Sequence, residues 1–238
     1  MKKVLVIIAA YNEEANIVKT VRSLEAANIA CDYLIVNDGS SDRTEEVCRE
    51  NGFSYVSLPV NLGIGGAVQT GYRYALENDY DIAVQIDGDG QHDPAYLQTV
   101  LQPILEDKAD YVIGSRFVSE KAEGFQSSAG RRVGIRLLSR LIRLCCGGRI
   151  CDVTSGFRAV SRRSIQEFAE HYPADYPEPE AIIDASLRGE RIAEVPVLMR
   201  EREHGVSSIN LKRSVYYMIK VSLDIIVCRI SYGVRRAR

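Results

Sequence analysis

The sequence predicts an α/β fold, a mostly parallel sheet with helices on both faces, followed by C-terminal amphipathic helices. Three observations carry this. Short apolar runs alternate with segments of helical period from Val4 to Ile86, the pattern of parallel strands joined by crossover helices. Val4–Ala9 and Ile82–Ile86 lack polar alternation, as strands buried on both faces do. Polar clusters follow the strand ends, where sheets of this kind bind ligands. At 238 residues the chain can bury one sizeable core. The expected organisation is one α/β domain over 1–210 and a basic, amphipathic segment over 211–238.

Taken in order, Val4–Ala9 is the first strand. Met1-Lys2-Lys3 before it resembles the start of a signal peptide, but Tyr11-Asn12-Glu13-Glu14 ends the apolar run too early. Asn12 is the expected N-cap of a helix whose face carries Ile17, Val21 and Leu24. Tyr33–Val36 is the second strand, ending in Asn37-Asp38-Gly39-Ser40-Ser41-Asp42. Asp42 and Glu45 have capping-box spacing for a helix that stops at Asn51-Gly52. Ser54–Leu58 is the third strand. Asn61-Leu62-Gly63-Ile64-Gly65-Gly66 then leads into a helix through Glu77, and Ile82–Ile86 is the fourth strand. Farther on, Pro196 gives the strand Ile192–Leu198 an edge position. His92, His171, Arg188 and Arg191 read as surface or local-structure residues.

The chemistry centres on Gln85-Ile86-Asp87-Gly88-Asp89-Gly90-Gln91-His92-Asp93-Pro94. Asp87 and Asp89 stand two apart at a strand end and can face one point. Two bare carboxylates that close repel each other; a divalent cation removes that cost. Oxygen ligands of this kind suit Mg²⁺ or Mn²⁺, and such an ion can clamp a departing diphosphate. A solvated Asp-Gly turn is the plain alternative. Ala10, Tyr11 and Glu13 after the first strand, and Asp38 after the second, complete a candidate nucleotide-plus-metal site. The Gly63-Ile64-Gly65-Gly66 loop lacks the Walker lysine and the dinucleotide fingerprint, so close helix–sheet packing competes with a phosphate cradle there.

Composition excludes several classes. No run of 18 uncharged apolar residues exists, so no bilayer-spanning helix is expected. The six cysteines have no CxxC spacing, which favours thiols in a reducing cytoplasm over a disulfide framework. A metal knuckle of Cys145, Cys146 and Cys151 lacks paired ligand spacing. The net charge of −2 hides an asymmetry: residues 1–130 hold 10 Lys+Arg against 20 Asp+Glu, giving −10, and residues 131–238 hold 20 against 12, giving +8. An acidic half for a metal and a basic half for phosphates is one reading. The absence of Trp and the few aromatics among the basic residues argue against nucleic acid.

At this point the motifs resemble a known family. Ala10-Tyr11-Asn12-Glu13-Glu14, Val36-Asn37-Asp38-Gly39-Ser40-Ser41-Asp42, Asn61-Leu62-Gly63 and Asp87-Gly88-Asp89-Gly90-Gln91-His92 are similar to those of the inverting glycosyltransferases of family two, which have the GT-A fold. Gly114-Ser115-Arg116-Phe117, Asp152-Val153-Thr154-Ser155-Gly156-Phe157-Arg158 and Arg202-Glu203-His204-Gly205-Val206-Ser207 resemble the polyprenyl-phosphate branch, typified by dolichyl-phosphate mannose synthases. The likeness covers residues 4–210. It implies metal-dependent, inverting transfer of a sugar from a nucleotide diphosphate to a polyprenyl phosphate. It also implies roles: Asp38 on the nucleobase, Glu13 on the ribose, and Asp87 by ribose and diphosphate. Asp87, Asp89 and Gln91 would hold the metal. Arg116, Arg131 and Arg202 would bind phosphates of acceptor or donor. Ile135 stands where the family often has Ser, so that acceptor contact does not carry over.

The second half suits an anionic membrane surface. Arg131 to Arg149 holds six arginines and no acid, with Arg136, Arg140 and Arg143 on one helical face and Leu137, Leu141 and Leu144 beside it. Residues 211–238 repeat the theme: Tyr216, Tyr217, Ile219, Leu223, Ile226, Val227 and Ile230 are interrupted by Lys220, Asp224 and Arg229. This segment is expected to lie on the cytoplasmic membrane face, on a small integral-membrane partner, or over the protein's own sheet. Glu180, after Tyr176-Pro177-Glu178-Pro179, is a candidate to orient the acceptor or take a proton, although a phosphate acceptor needs little base catalysis. Transfer to a saccharide hydroxyl is the alternative that would need it. A nucleotidyltransferase is disfavoured, because Tyr11-Asn12-Glu13-Glu14 is acidic where that class carries a basic, Gly-rich loop. Asp38 suits a base with a ring N–H, and the reading leans to a UDP-sugar.

Overall fold

The computed structural model describes residues 2–118, 129–200 and 211–236, with only the backbone at 129–133, 211–215 and 233–236. Among the described residues there are seven strands: β1 (Val4–Ala10), β2 (Asp32–Asn37), β3 (Tyr55–Ser57), β4 (Ile82–Asp87), β5 (Tyr111–Ser115), β6 (Arg158–Ser161) and β7 (Ile192–Pro196). They form one sheet in the order β3-β2-β1-β4-β6-β5-β7. β6 runs antiparallel to both neighbours and every other pairing is parallel. The helices are α1 (Ile17–Ala26), α2 (Thr44–Glu50), α3 (Gly63–Glu77), α4 (Leu97–Leu105), α5 (Ala129–Cys146), α6 (Arg162–Glu170), α7 (Pro177–Leu187) and α8 (Leu211–Arg236).

β1 explains the two-sided core. Its alternate residues face opposite ways. Leu5 and Ile7 join α3, α6 and α7 residues in one cluster, and Val4, Val6 and Ile8 join α1 and α4 residues in the other. Both layers are full, so the strand carries no polar residue. α3 lies so close to the sheet that a Cβ on Gly71 would come within 2.3 Å of the Ile7 side chain. Only glycine permits that spacing.

Chain order reverses beside β1: β2 and β3 lie on one side and β4 on the other. This is a topological switch point, where crevices open at the carboxyl ends of strands. Register sets what meets there. Ala9 pairs with Asp87, and Ala10 with Asn37. The polar strand ends read from the sequence are therefore neighbours.

Several expectations shift in detail. α1 begins at Ile17 with Asn16 at the N-cap position, where its side chain makes no capping hydrogen bond, and Asn12 lies a turn earlier with φ +55. Asn12 Oδ1 instead accepts from the backbone N–H groups of Ser41 (2.8 Å) and Asp42 (3.3 Å). The chain must bend sharply out of β1, and Asn tolerates the left-handed region. The third strand shortens to three residues. Pro196 does lie on an edge strand. α8 packs on α7 and α5, and its Val221 and Ile225 are buried in the same cluster as Leu5 and Ile7. The segment after 210 thus shares the main core, while its opposite face stays exposed.

Candidate active site

Three strand ends build the site. After β1, Glu13 is buried; its N–H donates to Thr44 Oγ1 (2.8 Å), and its Oε2 accepts from Asn16 Nδ2 (2.6 Å). Tyr11 is exposed beside it. After β2, Asp38 is buried. Its Oδ1 accepts the Leu62 N–H at 2.7 Å, so it caps the N-terminus of α3. Burial raises its pKa above the usual carboxylate value, opposed by the N–H groups of Leu62 and Gly63. Gly63 needs its residue type, with φ +78. Gly65 is a packing position: an added Cβ would meet the Pro173 and Ala174 carbonyl oxygens at 2.1 and 2.3 Å. That loop contact is a close approach of a kind the helix–sheet reading did not specify.

After β4, the acid pair follows. Asp87 is the last strand residue and its side chain is 36 % exposed. The chain turns at once: Gly88 N–H donates to Ala9 O (2.8 Å), Gly90 has φ +75, and Gln91 N–H donates to Asp89 Oδ1 (3.0 Å). Gln91 O accepts from Arg200 N (2.9 Å), which ties the turn to the chain after β7.

Of the two roles the sequence left open for His92, surface or local structure, the second holds: it is buried. Its Nδ1 accepts the Asp87 backbone N–H at 3.0 Å, and its Nε2 lies 3.8 Å from Asp87 Oδ2. Burial holds its pKa down to about 4, despite the opposing charge of Asp89. The imidazole beside both acids is therefore neutral at physiological pH. An accepting Nδ1 places the ring proton on Nε2. His171 is exposed, and Arg191 forms surface ion pairs with Asp107 and Asp110. Arg188 is paired with Asp184 and Glu190.

Arg116 lies behind the site, forked onto Asp152: Nε to Oδ2 is 2.7 Å and Nη2 to Oδ1 is 2.7 Å, with Thr154 Oγ1 also within 2.9 Å. Asp152 N–H and Cys151 N–H donate to the Glu194 carboxylate at 2.8 and 2.7 Å. Arg158, fully buried, bonds the carbonyls of Ser155 (2.6 Å), Glu178 (2.7 Å) and Val153 (3.3 Å), and the Tyr111 hydroxyl. Two arginines thus brace the loop 152–157. Its Gly156 presses on the acid site: a Cβ there would stand 3.2 Å from His92 Cε1 and 3.3 Å from Asp87 Oδ2. His92, Asp152, Arg158 and Glu194 were not candidates from the sequence, although the first three lie inside motifs that it displays.

Glu180 faces α8. Its Oε1 lies 3.8 Å from Cys228 Sγ. Burial raises its pKa, as do Asp224 and Asp184. The side chain of Arg131, and Arg202 altogether, lie outside the described residues. Ile135 is buried in the core, so no acceptor contact is available from that position.

A divalent cation fits the acid turn. Among the described residues no group of three or more His, Cys, Asp or Glu could hold a metal, which leaves the cysteine knuckle without support. Asp87 and Asp89 supply a sparse, all-oxygen set, partly open to solvent. Mg²⁺ and Mn²⁺ are bound in this way, by one or two carboxylates plus waters and substrate phosphates. The neighbouring neutral imidazole adds no positive charge to compete with the ion.

Comparison with known proteins shows the family and the fold. The family model described as glycosyl transferase family 2 matches residues 5–168. A UDP-N-acetylglucosamine–dolichyl-phosphate N-acetylglucosaminyltransferase of Methanococcus voltae is 35 % identical over 215 residues, covering 82 % of this chain and 85 % of that protein. An undecaprenyl-phosphate mannosyltransferase of Micrococcus luteus is 32 % identical, covering 87 % and 88 %. Among solved structures, glucosyl-3-phosphoglycerate synthase from Mycobacterium tuberculosis, in complex with Mn²⁺, UDP and phosphoglyceric acid, superposes with a TM-score of 0.71. It is 22 % identical and covers 97 % of this chain and 78 % of that one; the likeness is one of fold.

Proposed function

We propose that this chain, which belongs to glycosyl transferase family 2 and has the GT-A fold, moves a sugar from a UDP-sugar or similar nucleotide donor to a polyprenyl phosphate, with inversion, at the cytoplasmic membrane face. It is a glycosyltransferase with relatives named for sugar transfer to lipid phosphates. The observation that carries the donor reading is the register of Asp87 beside Ala9, with Asp38 one strand away. Parallel register brings the carboxylate-bearing ends of β1, β2 and β4 side by side, which supports assigning them to base, ribose and diphosphate.

The residues divide the work. Asp38 accepts from a ring N–H of the base, and Glu13, braced by Asn16 and Thr44, accepts from the ribose. Asp87 and Asp89, with Gln91, hold Mg²⁺ or Mn²⁺. When bound, the ion neutralises charge on the departing diphosphate. The acceptor phosphate is already ionised near neutral pH, so attack in line at the anomeric carbon needs no strong base. Glu180 faces α8 instead, which favours a phosphate acceptor over a hydroxyl. Arg131 and Arg202 are assigned to phosphates of acceptor or donor from the family resemblance.

Membrane attachment is read from α5 and α8. Arg136, Arg140 and Arg143 are exposed on α5, and Ile219, Leu223, Val227 and Ile230 are 57–61 % exposed on α8. An apolar stripe beside arginines suits an anionic lipid surface. Among the described residues no helix is long and apolar enough to cross a membrane.

The test is incubation with a panel of labelled nucleotide sugars, Mg²⁺ or Mn²⁺, and a polyprenyl phosphate. Label should pass into organic solvent with the lipid. Label appearing only in a water-soluble saccharide would overturn the acceptor assignment.

A further inference from the structure

We propose that His92 is a positioning residue that fixes Asp87 for the cation, acting through the Asp87 backbone N–H. The inference rests on the metal reading above and concerns a residue that it does not use. The sheet leaves one donor in need of a partner. β4 pairs with β6 only as far as Gln85, opposite Arg158. Gly88 N–H turns to Ala9 O on the β1 side, so the N–H one residue earlier points to the other side, past the end of β6. A buried backbone donor without an acceptor is costly. His92 Nδ1 supplies that acceptor at 3.0 Å.

The imidazole is itself held from several directions. Its ring packs on Phe157 with centroids 5.3 Å apart. Gly156 lies against its Cε1 edge. Residue 92 bridges to Met199, and the neighbouring Gln91 O accepts from Arg200 N. The ring is thus held by the loop before β6 and the chain after β7. Asp87 is registered against the ring by its backbone, and its Oδ2 lies 3.8 Å from Nε2. That distance is too long for a hydrogen bond. The ring therefore acts on the peptide of Asp87 rather than on its carboxylate. Outer partners of this kind typically change metal affinity about 10–100-fold when removed.

Two substitutions separate this role from simple filling of space. Asn places an amide oxygen near the position of Nδ1; Gln reaches toward Nε2. Binding of Mn²⁺, followed by electron paramagnetic resonance with and without UDP, should weaken by about 10–100-fold in His92→Phe and in His92→Gln. His92→Asn should recover most of that loss. With Mn²⁺ saturating, kcat should return toward wild type while KM for the lipid acceptor stays constant throughout. Equal Mn²⁺ affinity in the wild type, His92→Gln and His92→Asn would overturn the proposal and leave the transferase reading intact. Equal weakening in Gln and Asn would also overturn it, as the mark of packing alone. A wild-type protein that binds neither Mn²⁺ nor UDP would overturn the metal reading, and the proposal with it.

Discussion

Arg116 and Asp152 form a forked ion pair, both contacts 2.7 Å, with the carboxylate side chain fully buried and the guanidinium 10 % exposed. The sequence motif assigned Arg116 to a substrate phosphate. Its Nε and Nη2 are instead committed to the loop that carries Gly156 to the acid site. Removing one partner of a buried pair leaves the other uncompensated, at a cost of about 3–5 kcal/mol. Arg116→Ala should lower the urea midpoint accordingly. Arg116→Lys should recover only part, because an ammonium cannot reproduce the fork. An unshifted midpoint with lost turnover would return Arg116 to direct phosphate binding.

Asp89→Ala should leave the circular dichroism spectrum unchanged and reduce transfer by about two to three orders of magnitude, as removal of a preorganised electrostatic group does. Near-normal turnover in that variant would remove Asp89 from the metal site.

Glu180 gives a signed pH effect. Its pKa is raised in the folded state, first by burial and then by Asp224 and Asp184. The native protein therefore holds a proton that the unfolded chain releases, and stability falls as pH rises from the unfolded value through the folded one. Glu180→Gln should stabilise the protein at neutral pH, and the gain should vanish in acid. Transfer to a phosphate acceptor should persist. A thermal-melt series across pH, with activity measured in parallel, checks both; loss of transfer in a well-folded Gln variant would make Glu180 a base.

Gly65→Ala forces a methyl into two carbonyl oxygens, 2.1 and 2.3 Å away. Backbone cannot swing aside as a side-chain tip can. The loss should be about 1–3 kcal/mol or more, seen as a lower melting temperature. An unchanged melting temperature would show that the 173–174 loop yields freely.

The α8 face can be tested without touching the core. Deleting 215–238 would also remove Val221 and Ile225, which are buried. Replacing Ile219, Leu223 and Val227 by Ser alters only exposed positions. That triple variant should stay folded and cease to sediment with anionic vesicles. Undiminished sedimentation would assign the face to another partner.

The placement of the candidate acids at strand ends was legible because it follows local rules. Unbroken apolar runs mark strands covered on both faces, and Asp87 at the end of such a run must lie at the sheet's carboxyl edge. The Asn61–Gly66 stretch opened a helix as expected. Asn12 was misplaced by four residues, because its side chain bonds across to Ser41 and Asp42, a contact between segments that no local pattern records.

The sequence alone determined the alternation of strands and helices, the carboxylates at their ends, and the arginine-rich second half, since these depend on side-chain type and short-range period. Only the tertiary structure decided which strand ends are neighbours, that Arg116 is bound to Asp152, and that His92 is buried against Asp87. The reason is physical. Register, burial and ion pairing arise when segments distant in the chain compete for the same space, and that competition is settled by packing.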